Sequence, residues 1–139
     1  MNYLLDTSLI SELVKPTPNK AVLKWVEGHP EQTMFLSVLT LGEIQKGVAK
    51  LARSKRKALL QEWVNNHLPR RFSGRVLDIT GDVAILWGKL QGEAEMKGLK
   101  MPVIDSLIAA TGKLHNLIVV TRNGTDIVQS GVEVFNPWP

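Results

Sequence analysis

The chain has 139 residues, 44% of them hydrophobic and 22% charged, and a mass of 15.4 kDa, which bounds it to one globular domain large enough to fold without staples. It contains no cysteine, which excludes disulfides, zinc–thiolate centres, iron–sulfur clusters and thiol catalysis together. Lysine plus arginine number 17 against 13 acids, a net charge of +4, so a polyanion is a compatible partner and a strongly acidic, solvating chain is ruled out.

Tyr3-Leu4-Leu5 reads as a short buried strand, and the opening Met1–Asp6 stretch lacks the basic head of a signal peptide. Pro16, Pro18 and Asn19 punctuate, after which Val22, Leu23 and Val26 form a helical stripe. Met34–Val38 is a second strand, and Leu41, Ile44, Val48 and Leu51 mark one face of the helix after it. Leu60, Trp63 and Val64 give another amphipathic turn. Arg75–Ile79 is a third strand, followed by a helical stripe of Val83, Leu86, Trp87, Leu90 and Ala94. Ile104, Leu107, Ile108, Thr111 and Leu114 repeat the pattern after Pro102. Leu117–Thr121 is apolar on both faces and is the most strand-like segment, and Val132–Phe135 closes the series. Non-alternating strands separated by helices imply a mostly parallel sheet covered on both sides. The expected fold class is α/β, a three-layer α/β/α sandwich of about five strands, in a single domain over residues 1–139. No apolar run approaches the length of a membrane span, and a soluble, cytoplasmic protein is expected.

In such sheets ligands bind at the carboxyl ends of the strands. Four of the 13 acids fall there. Asp6 follows the first strand, Glu43 lies early in the helix after the second, Asp105 opens the helix near Pro102, and Asp126 lies just past Thr121. Each also has a capping explanation: Thr40-Leu41-Gly42-Glu43 matches a capping box, and Asp6 and Asp105 could cap the helices they precede or open. Four carboxylates in one crevice repel unless a cation sits between them. With only His29, His67 and His115 as nitrogen donors, oxygen ligands point to magnesium, or manganese, rather than zinc.

LLDTSLISEL, FLSVLTLGEIQKGV and PVIDSLIAATGKLHNLIVVTRNGTDI resemble, in order and spacing, the acidic motifs of PIN-domain ribonucleases, and among them the VapC-type toxins of bacterial toxin–antitoxin pairs. The resemblance covers essentially the whole chain, including the closing Val-Phe-Asn-Pro-Trp. It implies a PIN-like fold and a metal-dependent endoribonuclease, with Asp6, Glu43, Asp105 and Asp126 as metal-site carboxylates and Thr7, Thr121 and Asn123 in support. It also implies a homodimer, a cognate small antitoxin, and a cellular RNA target, tRNA leading, whose cleavage arrests translation. Ser8 stands where many relatives have asparagine, and Ile127 where many have phenylalanine.

Between Glu43 and Glu62 no acid occurs, while Lys46, Lys50, Arg53, Lys55, Arg56 and Lys57 supply six positive charges, followed by Arg70, Arg71 and Arg75. These are the candidate RNA-backbone contacts; a solvated helix face is the plainer reading. His29, His67 and His115 are expected at the surface, and Trp25, Trp63 and Trp87 in the core or at a dimer contact. Glu12 is either surface or a reach into the crevice from the next turn, and Asp78 and Asp82 are assigned to capping. A haloacid-dehalogenase-type phosphotransferase needs a second aspartate two positions after the first, where Ser8 stands; a phosphate-receiving domain needs an acidic pair after the first strand, where only Asp6 is found. The non-enzyme alternative is an RNA-binding or antitoxin-binding module with a degenerate site.

Overall fold

Strands that are apolar on both faces need helices above and below them, and the computed structural model, which describes residues 1–139, places them so. The elements run β1 (Tyr3–Leu5), α1 (Thr7–Leu13), α2 (Lys20–Glu27), β2 (Met34–Ser37), α3 (Val38–Ala49), α4 (Lys55–Glu62), α5 (Leu68–Arg71) and β3 (Val76–Leu77). They continue through α6 (Gly81–Met96), α7 (Val103–Leu114), β4 (Ile118–Val120) and β5 (Val134–Phe135). All five strands are parallel, in the order β3-β2-β1-β4-β5. Successive side chains point to opposite faces. Leu5 and Val120 therefore join Leu9, Ile10, Val22 and Val48 on one side, while Leu4 and Val119 join Ile108 and Ala109 on the other. Leu4, Leu5, Val119 and Val120 are all at most 1% exposed, so the centre of the sheet is shielded from water on both faces. A third cluster, Val83, Leu90, Ala94, Met101 and Ala110, welds α6 to α7.

The expected strands are all present but shorter. Val38 opens α3 instead of closing β2, and only Val76 and Leu77 pair on the β3 edge. Val132 is buried in the second cluster yet lies outside the ladder, because Gly131 turns the chain with a φ of 82° just before it. Helix α4 runs into α5 through a wider π turn, Trp63–His67. Pro69 explains the widening: it lacks an amide hydrogen, and its ring displaces the carbonyl four residues back.

Trp25 and Trp63 pack against the first cluster. Trp87 packs against the third, its indole N–H donating to Ser106 Oγ at 2.8 Å. His67 and His115 are exposed, as expected. His29 is not a free surface group: its ring lies 4.3 Å from that of Trp25, and its Nδ1 is 2.6 Å from the Trp25 carbonyl oxygen. No helix is long and apolar enough to cross a membrane.

Candidate active site

The strand order reverses between β1 and β4, the first half of the chain building outward through β2 and β3 and the second through β5. A crevice opens at the carboxyl ends of strands where such a reversal occurs. Asp6 sits in it. Its amide donates to the Val120 carbonyl at 3.0 Å, which carries the β1–β4 ladder one residue further and aims the carboxylate across the seam. Asp6 is 7% exposed, and its Oδ2 accepts from Thr121 Oγ1 at 2.6 Å and Ser8 Oγ at 3.1 Å. Ser8 Oγ in turn accepts from the Arg122 amide at 3.3 Å. Serine at that position thus ties the acid of one half to the loop of the other.

Glu43 arrives from α3. Ser37 caps that helix, its Oγ accepting from the Leu39 amide at 3.1 Å, so Thr40 lies inside the helix and the capping-box reading of Thr40–Glu43 does not hold. Glu43 Oε1 instead accepts a 2.5 Å hydrogen bond from Thr7 Oγ1, which also lies 3.3 Å from Thr40 Oγ1. Asp105 stands in the first turn of α7, where neither it nor Pro102 supplies a side-chain cap. The Asp6 side chain likewise makes no cap bond to α1. Asp126, in the short 124–126 turn, is exposed. That turn lies hard against β5: a Cβ on Gly124 would meet Val134 Cγ1 at 2.4 Å, which accounts for glycine there.

Burial, then the charges of Asp6, Glu43 and Asp126, push the Asp105 carboxyl up from its ordinary 3.8 to about 6. The four acids therefore share one field. A cavity of about 10 Å³, lined by Asp6, Asp105, Thr121 and Asn123 over a floor of Ile108, Val119 and Ile127, separates two of them. It has room for one water-sized sphere. Asn123 engages the protein through its amide, which donates to Thr121 Oγ1 at 3.1 Å. No three acids or histidines stand close enough to enclose an ion by themselves. An all-oxygen set of that kind fits magnesium, which takes one or two carboxylates and keeps much of its water.

Residues 3–129 match the PIN domain family. The chain belongs to it. The Toxin FitB of Neisseria gonorrhoeae is 36% identical over 135 residues, 97% of each chain. A VapC ribonuclease, Y4jK, of Sinorhizobium fredii is 33% identical over 135 residues, 97% of this chain and 96% of that one. Among solved structures, FitAcB from N. gonorrhoeae superposes with a TM-score of 0.92 at 36% identity, covering 98% of both chains. VapBC2 from Rickettsia felis, bound to a DNA fragment from its promoter, superposes with a TM-score of 0.81 at 25% identity, covering 100% of both.

The basic residues of this PIN domain divide into two groups. Lys46, Lys50, Arg53, Lys55 and Arg56 are exposed, and Lys46 borders a cleft of about 260 Å³ with Glu43, Val38, Leu39, Gly42 and Ile104. Lys57 is tied down, donating to the Leu51 carbonyl at 2.9 Å and the Ala49 carbonyl at 3.4 Å at the end of α3. Arg71 pairs with Glu31. Arg75 donates to the Met34 carbonyl at 2.8 Å and the Arg71 carbonyl at 2.6 Å and lies over the Phe72 ring, so it fastens the β2–β3 edge. Asp78 is exposed with no hydrogen bond from its side chain, and Thr80, not Asp78 or Asp82, caps α6.

Glu12 is neither a surface residue nor a crevice ligand. It is 5% exposed and accepts from Lys15 Nζ at 3.0 Å, the Asn19 amide at 3.1 Å and Trp138 Nε1 at 3.2 Å. Burial alone would raise its pKa; those three donors and the Lys15 charge outweigh it and hold the carboxyl below its ordinary value.

Proposed function

We propose that this PIN domain is a magnesium-dependent endoribonuclease toxin that cuts a structured cellular RNA, tRNA being the leading class, and so arrests translation. The observation that carries this reading is the pair Asp6 and Asp105 facing one small cavity at the switch point, with Glu43 and Asp126 near enough to add their charge to the burial that drives the Asp105 carboxyl up to about 6. One relative named as a VapC ribonuclease and one named as a toxin, each matched over nearly the whole chain, support it.

Asp6 and Asp105, with Glu43 and Asp126 beside them, would hold one or two magnesium ions through one or two carboxylates each and retained water, with manganese as a substitute. Magnesium bound there supplies the Lewis acidity that activates water for in-line attack on phosphorus and offsets the charge that develops. The protein's own part is positional. Thr121 and Ser8 fix Asp6 in one rotamer, and Thr7 does the same for Glu43. Ile127, 3% exposed, lines the cavity together with Ile108 and Val119. Lys46, Lys50, Arg53, Lys55 and Arg56 are placed to follow an RNA backbone without reading its sequence.

Control would come from a small antitoxin encoded alongside, an arginine of which pairs with the crevice carboxylates. The relative named Toxin FitB and the likeness to FitAcB and VapBC2 are in keeping with such a partner; by the family resemblance, a cytoplasmic homodimer is the expected working form. The test is direct. Purified protein incubated with total RNA should cleave in millimolar magnesium and stop with chelator, and Asp105→Asn should be inert in both. Comparable cleavage by the variant, or by wild type in chelator, removes the mechanism.

A further inference from the structure

A polyanionic substrate has to approach four carboxylates, and no lysine or arginine forms an ion pair with any of them. Arg122 is the cation nearest in the chain to the crevice. Its neighbours Thr121 and Asn123 both line the cavity, and its own amide is held by Ser8, which is held by Asp6. An unrestrained guanidinium in that place would fold onto the acids. Arg122 forms no ion pair with them; its Cζ lies 5.5 Å from the Trp138 ring centroid, within range of a cation–π contact.

Trp138 is a built shelf. Its indole N–H donates to Glu12 Oε1 at 3.2 Å and its amide to Asn136 Oδ1 at 2.9 Å. Glu12 in turn is shielded from water and fixed by Lys15 and the Asn19 amide. A contact between a guanidinium and an aromatic ring consumes none of the five N–H donors, which lie along the guanidinium edge. The Arg122 side chain is exposed, and none of those donors is spent on the protein. A cation oriented in this way, with a free planar fork, suits a phosphate.

We propose that Arg122 grips an RNA phosphate beside the scissile one, and that Trp138, locked by Glu12, is the positioning residue that holds the guanidinium off the carboxylates. This rests on the ribonuclease reading. It adds a substrate contact to a site otherwise composed of acids and hydroxyls.

The experiment measures binding of a labelled single-stranded oligoribonucleotide across a potassium chloride series, in an Asp105→Asn background so that nothing is cut, and steady-state cleavage with Asp105 intact. Arg122→Ala should weaken binding about tenfold and flatten the slope of log affinity against log salt by about 0.7, the share of one phosphate contact. Trp138→Leu keeps the charge; it should raise KM several-fold with kcat held. Arg122→Lys should restore the salt slope but only part of the affinity, because an ammonium has no fork. Trp138→Phe, which retains a ring but loses the bond to Glu12, should fall between wild type and Trp138→Leu. A salt slope unchanged in Arg122→Ala overturns the grip, whether or not wild type cleaves. A slope that changes as expected in a protein that never cleaves RNA keeps the grip and sinks the nuclease reading instead.

Discussion

Glu12 and Asp105 are both carboxylates at least partly withdrawn from water, and they titrate in opposite directions. Glu12 receives three hydrogen bonds and a neighbouring ammonium, and its pKa falls. Asp105 receives none and faces three like charges, and its pKa rises to about 6. A shielded acid surrounded by donors is completed by the fold. A half-buried acid facing other acids is left uncompensated by the fold, which points to a functional site rather than a structural one. The predictions below break that contrast if they fail.

The largest effect is on catalysis. Asp105→Asn should lower cleavage by at least about 10²–10³-fold, the scale of losing a group that stabilises transition-state charge, while Asp82→Asn stays near wild type in the same gel assay. Next is metal linkage. Magnesium at about 100 times its dissociation constant should stabilise wild type by about 2.7 kcal/mol, read as a rise in melting temperature, and should stabilise Asp105→Asn by less. A wild type whose melt ignores magnesium would return Asp105 to an ordinary helix residue.

Third comes the latch. Glu12→Gln leaves Lys15 and its other donors poorly paired, and should cost about 1–2 kcal/mol at neutral pH. The sign follows from the lowered pKa: the stabilisation is present above the unfolded value of 4.5 and is lost as pH falls through the lower folded value. Denaturant midpoints of wild type and variant should therefore converge in acid.

The smallest effect runs the other way. A raised pKa means that the folded protein holds the extra proton, so stability is fully present below about 3.8 and is lost as pH rises through about 6. A shift of this size corresponds to about 3 kcal/mol if fully expressed, and screening of a half-exposed carboxylate reduces it to the order of 1 kcal/mol. Metal-free Asp105→Asn should exceed wild type by that amount at pH 7.5 and lose its advantage near pH 3.5. Urea melts in chelator at the two pH values decide it.

The sheet and the acids were legible because their signals are local. Leu4-Leu5 and Val119-Val120 are apolar on both faces, and an acid one residue past such a strand has few places to point. Thr40–Glu43 misled because a capping box is also local: its spacing fits, but Ser37 starts the helix earlier and Thr7, far away in sequence, takes the glutamate. Arg71 and Arg75 counted as basic charge yet serve the β2–β3 edge, since nothing in their own segment reveals Glu31 and the Met34 carbonyl. Glu12 was hidden more completely, its partner Trp138 being 126 residues away. The π turn was the one missed feature with a signal in plain view, Pro69 inside a helical stretch.

The seam between β1 and β4 also sets an order of events during synthesis. Thr121 reaches Asp6 across 115 residues, and Trp138 reaches Glu12 across 126. At about 5–20 residues per second, a nascent chain that has completed β1, β2 and β3 carries Asp6 and Glu43 but still lacks the two later carboxylates and both tethers. Contacts this distant in sequence form late because loop closure must precede them. The crevice is therefore expected to be assembled only once the segment carrying Thr121 and Asp126 docks beside β1, and its Trp138 tether only once the last residues follow.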